Sequence, residues 1–332
     1  MGATRCSKVT GFNTFVIALL LSLTFIVISW LQDPRTLVPL VRVLDNKNRF
    51  LTTGSLNTTE DFGVFGPEKG LYNFTVVTGL MDIGRGSWSH QSRTYDQYLS
   101  YLRQVLRLDV NLVVYVDRKG QDFVEKTRHG RERHTKIIVM ELVDLPYYRY
   151  KDRIAEIMNS TEYKTDNVLV QYHLCESYIP EYDIITLSKM YFINRTVWEN
   201  PFQTSYFVWL DGGYSHGKDI YPKNSVWIPK GLFEYSDKVT FIEREPVKDY
   251  ENKTDRLHKM TTGSLMGGFF AGGGQVLKEL SQMQVELMNE WMKKGIIDDD
   301  QGAFMLLYFR KPSLFHLVKG EWNDVFKLFN VD

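Results

Sequence analysis

Three kinds of apolar run divide the chain. The first is unbroken: Phe15 to Leu31 (FVIALLLSLTFIVISWL) holds no charge, and at about 17 residues it reaches the short end of what a bilayer core requires. Arg5 and Lys8 precede it. The positive-inside rule therefore keeps a tail, residues 1–13, in the cytosol and sends everything beyond a transmembrane signal anchor at 14–31 across the membrane, a single-pass type II topology. No small-x-small cleavage site follows Trp30, where the chain runs Leu31-Gln32-Asp33-Pro34, so a retained anchor is favoured over a cleaved signal peptide. Residues 32–70 show no sustained period and carry Pro34, Gly54, Gly63, Gly66 and Pro67; they read as a stem.

The second kind is a short continuous run bounded by polar residues, the mark of a strand buried on both faces. Asn73 to Ile83, Asn111 to Asp117, Lys136 to Leu142, Ser205 to Asp211, Lys238 to Glu243 and a short Met266 to Ala271 have this form. The third kind recurs at three and four residues and predicts helices with one buried stripe. Ser92 to Leu108 does so through Tyr95, Tyr98, Leu99, Leu102, Val105 and Leu106, and another helix is expected near Asp183 to Trp198. Val276 to Lys294 ends in Lys293 and Lys294 with Gly295 placed for a left-handed cap. Asp298, Asp299 and Asp300 open a last helix that Arg310, Lys311 and Pro312 close. Between the strands, 118–135 reads as a charged loop and 144–180 as a polar stretch with weakly periodic helical pieces. Strand, helix and strand in alternation predict one α/β domain over 71–332 with a parallel sheet of the Rossmann kind.

Composition sharpens this picture in three places. The chain has 40 Lys and Arg against 40 Asp and Glu, and setting aside Arg5 and Lys8 leaves 38 against 40 for the remainder. Without a basic excess there is no electrostatic footprint for a polyanion, which excludes nucleic acid as a partner class. N-glycosylation triplets stand at Asn57, Asn73, Asn159, Asn194 and Asn252, all after the apolar run, in agreement with a body in a secretory lumen. Cys6 and Cys175 are the only cysteines and fall on opposite sides of the membrane in this topology, so the fold rests on its core and Cys175 reads as a buried free thiol.

Candidate chemistry is sought at strand ends, because open α/β sheets bind ligands beyond the carboxyl ends of their strands. Asp82 to Trp88 (DIGRGSW) supplies two glycines for close backbone approach and Arg85 for a phosphate; a plain turn reads about as well. Asp117 ends the second strand, where an acid can take a ribose hydroxyl or simply face water. Trp209 to Gly217 (WLDGGYSHG) is the sharpest candidate: Asp211 follows a buried strand, and Gly212 and Gly213 leave room for a metal and its phosphates, with a plain Asp-Gly-Gly turn as the lesser alternative. Mn²⁺ or Mg²⁺ would need such hard oxygen ligands to neutralise a diphosphate leaving group. Leu265 to Gly274 packs five glycines into ten residues, a sign of close backbone approach or of a hinge. Asp298 to Asp300 stand where a helix N-terminus favours acids, so a cap reads about as well as a function; three in a row exceed what capping needs, and repulsion among them would raise the pKa of one toward that of a general base.

Together these stretches resemble the HtrL/YibB family of glycosyltransferase-like proteins, with bacterial and nematode members. VVTGLMDIGRGSW, NLVVYVD, SKMYFI, YFVWLDGGYSHG, GGFFAGG and DDDQGAF carry the resemblance in order over about 71–320. The resemblance implies a GT-A-like fold, a Rossmann-type mixed and mostly parallel sheet flanked by helices. It implies a type II membrane glycosyltransferase of the Golgi or endoplasmic reticulum that moves a sugar from a nucleotide-sugar donor to a hydroxyl of a glycan, glycoprotein or glycolipid. The alternative on the same fold is a non-catalytic glycan-binding or scaffold protein.

Carried over by residue, the resemblance makes Asp211 the metal and diphosphate ligand and assigns Thr78, Gly79 and Arg85 to the nucleotide. It places Lys189 near the donor sugar or phosphate and Gly267 and Gly268 on the acceptor side. Asp299 and Asp300 match the acidic pair that binds sugar or acts as base, and His316 falls where a late strand can supply a further metal ligand. One departure stands out: the second aspartate of the family's Asp-x-Asp is Gly213 here, for which His216 is a possible substitute.

Overall fold

The computed structural model describes residues 73–329. The tail, anchor and stem expected over 1–70, and Asn57 with them, lie outside the described residues. Among the described residues no helix is long and apolar enough to cross a membrane.

Seven strands form one sheet in the order β3-β2-β1-β4-β6-β5-β7. They are β1 (Phe74–Leu80), β2 (Asn111–Val116), β3 (Thr135–Val139), β4 (Tyr206–Leu210), β5 (Val239–Glu243), β6 (Leu265–Gly273) and β7 (Phe315–Lys319). All pairings are parallel except those of β6, which runs against both β4 and β5. β2, β4 and β6 are buried at every position, which is why their sequences read as continuous apolar runs and not as alternation.

Alternate residues of these strands feed two cores. One face, with Val77, Tyr115, Phe207 and Trp209, packs under helices α3 (Lys151–Asn159), α4 (Pro180–Leu187), α5 (Lys189–Glu199), α6 (Gly274–Lys294) and α7 (Asp300–Arg310). The other, with Val76, Val114, Val208 and Leu210, packs under α1 (Tyr95–Leu106), α2 (Arg118–Thr127) and Trp227. A capping box between Thr94 and Gln97 starts α1. Gly295, at φ 70°, ends α6 in the left-handed conformation that glycine adopts without steric cost.

Three expectations are corrected. The charged loop at 118–135 contains α2, an amphipathic helix whose apolar side is reduced to Phe123 and Val124, too few for its period to be read. The helix expected from 183 to 198 is two helices, broken at Ser188, whose hydroxyl donates to the Ile184 carbonyl at 2.6 Å. The short strand at 266–271 is the nine-residue β6, because its glycines let neighbouring groups close in on a fully buried strand. Of the glycosylation triplets, Asn73, Asn159 and Asn252 are exposed, whereas Asn194 is half-buried within α5 and its Thr196 is buried.

Candidate active site

The chain leaves β1 toward β2 and β3 on one side and returns to β4 on the other, so the strand order reverses between the parallel strands β1 and β4. Loops from the carboxyl ends of these two strands splay apart there, and ligands of open α/β sheets bind in the crevice that results. A cavity of about 370 Å³ occupies this crevice, with Gly79, Arg85, Lys189, Asp211 and Asp300 among its lining residues.

Asp211 stands one residue past β4. Its backbone N–H donates to the Gly268 carbonyl at 2.9 Å, which continues the β4–β6 ladder and fixes the direction of the side chain. Trp209 Nε1 donates to Oδ1 at 2.7 Å and Lys189 Nζ to Oδ2 at 3.2 Å, leaving a side chain 25% exposed toward the cavity. Lys189 is the first residue of α5, so the break at Ser188 is what delivers it here. Its ammonium also donates to Asp300 Oδ2 at 2.7 Å and to the Gly267 carbonyl at 3.1 Å. A side chain at Gly267 would put its Cβ 2.0 Å from Asp300 Oδ2; the glycine admits the carboxylate that the lysine binds.

Burial and like charge distort the titration of this wall. Burial raises Asp300 to about 7, with Lys189 pulling the other way and Asp299 and Asp211 adding to the rise. Asp299 is pushed up to about 6 by burial and then by Glu176. Burial lifts Asp183 and Asp298 well above the carboxylate range and raises Glu176. For Lys189 burial would lower the value, but the carboxylates of Asp211 and Asp300 outweigh it and hold the ammonium charged.

The opposite wall is basic and aromatic. Arg85 donates from Nη1 to Tyr98 Oη at 2.8 Å and from Nε to the Gln91 carbonyl at 2.9 Å, and its guanidinium lies over Trp88 and Tyr182. Arg93 Nη1 is 3.3 Å from His216 Nε2, and the His216 ring stacks on Trp322 with centroids 6.2 Å apart. Burial, then Arg93, holds His216 below its ordinary value. Among the described residues neither guanidinium hydrogen-bonds to a carboxylate, and Arg85 acts on Glu176 through charge alone.

The structure thus brings Gly79, Arg85, Lys189, Asp211, Gly212, Gly213, Gly267 and Asp300 to one cavity. Other expected residues lie elsewhere. Thr78 is fully buried beneath Gly212 and does not line the cavity. Asp117 is a structural acid: Oδ1 accepts from the Gly120 N–H and Tyr95 Oη and Oδ2 from the Asp82 N–H, so it starts α2 and ties down the β1 loop. Asp299 is the N-cap of α7, accepting from the N–H groups of Gln301 and Gly302. Gly268 sits behind Asp211 and offers its carbonyl, not a surface to an acceptor.

His316 does not reach the site. It pairs with Thr240 at the amino end of β7 and stacks on Tyr235 at 3.5 Å, three residues along β6 and two strands across from Gly268, a separation of more than about 10 Å at normal strand spacing.

Sequence reasoning missed Arg93, Tyr98, Glu176, Gln301 and Trp322 as cavity residues. Glu176 comes from the weakly periodic stretch, where no pattern singled it out. Cys175 beside it is a buried thiol, pushed up to about 12 by burial and Glu176.

A divalent cation would make definite demands on these residues, since Mn²⁺ and Mg²⁺ take several oxygen ligands at about 2 Å. Asp211 offers one carboxylate, Gly213 none, His316 is remote, and His216 faces Arg93. Among the described residues no group of three or more His, Cys, Asp and Glu side chains is placed to hold a metal. The oxygens that do converge, from Asp211, Asp300 and Gly267, already surround the Lys189 ammonium. This donor set does not fit a divalent ion.

A family model described as a bacterial protein of unknown function (HtrL_YibB) matches residues 72–331. Protein HtrL of Escherichia coli (strain K12) is 26% identical over 272 residues, which span 77% of this chain and 92% of that protein. The crystal structure of mouse xyloside xylosyltransferase 1, apo form, covers 77% of this chain and 93% of its own at 13% identity and a TM-score of 0.39.

Proposed function

The chain belongs to the HtrL_YibB family, and from that premise we propose that it is a glycosyltransferase with a GT-A-like fold, moving a sugar from a nucleotide-sugar donor to a hydroxyl of a glycan, glycoprotein or glycolipid. The observation that carries this reading is the composition of the crevice between β1 and β4. Arg85 and Arg93, two guanidinium groups with no hydrogen bond to an acid among the described residues, face a wall of Asp211, Lys189 and Asp300 across one cavity. A small, doubly charged anion such as a diphosphate matches the first wall. A polyhydroxylated, uncharged group matches the second wall and the rings of Tyr98, Tyr182 and Trp322.

In this reading the donor lies with its diphosphate against Arg85 and Arg93 and its sugar toward Asp211. The bond between the anomeric carbon and the diphosphate oxygen breaks as the acceptor oxygen bonds to that carbon, and the acceptor proton passes to a carboxylate. Asp300 is the candidate for that carboxylate: it lines the cavity, and a value raised to about 7 suits a base that must be ionised yet basic near neutrality. Lys189 holds its Oδ2 in place, which orients Oδ1.

The apolar run after Arg5 and Lys8 supports a single-pass type II anchor at 14–31, a stem over 32–70 and a lumenal body over 71–332, in the Golgi or endoplasmic reticulum. The full-length chain, purified in detergent and incubated with a panel of nucleotide sugars, tests the activity. Slow release of nucleoside diphosphate from one donor, lost in Asp300→Asn by roughly a hundredfold or more, is the expected result. No donor bound and none hydrolysed would sink the proposal; glycan binding without turnover would leave the scaffold reading in its place.

A further inference from the structure

Resting on the sugar-transfer reading, we propose that the Lys189 ammonium stands where a divalent cation would otherwise sit, and that the diphosphate is held and neutralised by Arg85 and Arg93 without metal. The argument begins with the oxygens. A cation at the end of β4 would have to collect Asp211, a second carboxylate and a backbone carbonyl, and these three do converge: Asp211 Oδ2, Asp300 Oδ2 and Gly267 O lie 3.2, 2.7 and 3.1 Å from one point. That point is Nζ of a lysine only 8% exposed, planted there by the first turn of α5. An ammonium makes three donated hydrogen bonds in a compact arrangement, and all three are made to these oxygens. A dication entering the same position would meet a fixed positive charge at its centre.

The rest of the cavity fits the same division. Position 213, which would carry a second ligand, is glycine, and a Cβ there would stand 3.2 Å from the Tyr98 ring. Tyr98 in turn accepts from Arg85 at 2.8 Å and lies 3.4 Å from Arg93 Nη1. The missing ligand is thus replaced by space for the phenol that positions two guanidinium groups. Charge that a metal would bring to the diphosphate comes from the β1 loop and the start of α1 instead. Arg85 is held over Trp88 and Tyr182, an arrangement that leaves a planar cation oriented in advance for a bidentate anion.

The inference is tested on the full-length chain in detergent with two probes: inorganic pyrophosphate together with uridine, guanosine, cytidine and adenosine diphosphates, and Mn²⁺ alone. At least one diphosphate should bind equally well in EDTA and in Mn²⁺, and Arg85→Ala or Arg93→Ala should weaken it by roughly ten- to a hundredfold, the range of a lost charge-assisted hydrogen bond. Mn²⁺ alone should not bind the parent chain by calorimetry or electron paramagnetic resonance. Lys189→Met, which vacates the three oxygens, should acquire a Mn²⁺ signal. If that variant does not fold, the comparison of EDTA with Mn²⁺ on the parent chain still decides. Diphosphate binding that requires Mn²⁺ and disappears in Asp211→Asn overturns the inference while leaving sugar transfer intact. Failure of every diphosphate to bind under either condition overturns both.

Discussion

Two buried cations sit at opposite ends of the same sheet, and their surroundings separate what holds this fold from what it is for. Arg128, 1% exposed, closes the amino-terminal end: Nη1 donates to the carbonyls of Leu106 and Leu108, Nη2 to those of Val110 and His134, and Nε to Thr135 Oγ1. Every one of these acceptors is neutral, and they belong to the segments that lead into β2 and β3. Lys189 sits at the carboxyl-terminal end and is bound chiefly by carboxylates that also line a cavity. A guanidinium among carbonyls is a permanent clasp, because arginine stays protonated and its five donors are all used. An ammonium between two acids is a balance of charges that a ligand or a proton can tip.

Removing the clasp should have the largest effect. Arg128→Met would leave the three buried carbonyls of Leu106, Leu108 and Val110 and the half-buried one of His134 without this donor, and each unsatisfied group costs about 1–3 kcal/mol. Partial relaxation brings the expected loss to about 5 kcal/mol, read as a lower urea midpoint, with diphosphate affinity unchanged in the fraction that stays folded. The second test uses pH, to which Arg128 is blind.

Asp299 and Asp300 have folded values raised to about 6 and about 7, so the folded state binds their protons more tightly than the unfolded chain does. Their contribution to stability is full below about pH 4 and is lost as pH rises through about 6 and 7, at up to about 1.4 kcal/mol for each pH unit that separates a group's unfolded and folded values. Asp300→Asn should remove up to roughly 4 kcal/mol of that fall between about pH 4 and pH 8, and so be relatively more stable at the upper end. A parent and a variant with the same slope would refute the assignment.

The two ends also differ in how far they can be read from sequence. Strands β2 and β4 are buried on both faces, and burial of that kind writes itself as VVYV or YFVWL; Gly295 and the Asp298 to Asp300 run mark helix ends through local backbone chemistry. Asp211 and Arg85 were legible because strand ends are where such sheets bind ligands. Arg128 was not: in RKGQDFVEKTRHGRER it is one basic residue among several, and only the packing of α2, itself unread, turns it inward. Lys189 entered through family resemblance, but its three partners, 22, 78 and 111 residues away, have no local signature. The same holds for Trp322, which the segment around His316 brings to the cavity in place of the histidine, and for Asp117, whose partners Tyr95 and Asp82 precede it by 22 and 35 residues.

A smaller perturbation probes the carboxyl-terminal end without deleting a charge. Gly267→Ala would press a methyl against Asp300 Oδ2. The carboxylate would have to withdraw from Lys189, at a cost of about 2 kcal/mol, in the range for a crowded buried site. Diphosphate release from a nucleotide sugar should fall by about tenfold or more, since displacements on the order of 1 Å carry such penalties. An alanine variant with parental turnover would mean that the Lys189–Asp300 contact does not position the base.

The finest test removes one hydrogen bond from the clasp. Thr135 Oγ1 accepts from Arg128 Nε at 2.7 Å and donates to the Arg131 carbonyl at 2.8 Å. Thr135→Val keeps the branched shape that β3 favours and should cost about 1–2 kcal/mol, because one buried N–H of the guanidinium is left without an acceptor. Sites with no shared partners behave additively. Arg128 is held by Leu106, Leu108, Val110, His134 and Thr135, and Lys189 by Asp211, Gly267 and Asp300, so neither diphosphate affinity nor the pH slope of stability should move. A shift in either would mean that the amino-terminal clasp and the carboxyl-terminal cavity communicate through the strands between them, and the separation of scaffold from site along the sheet would have to be given up.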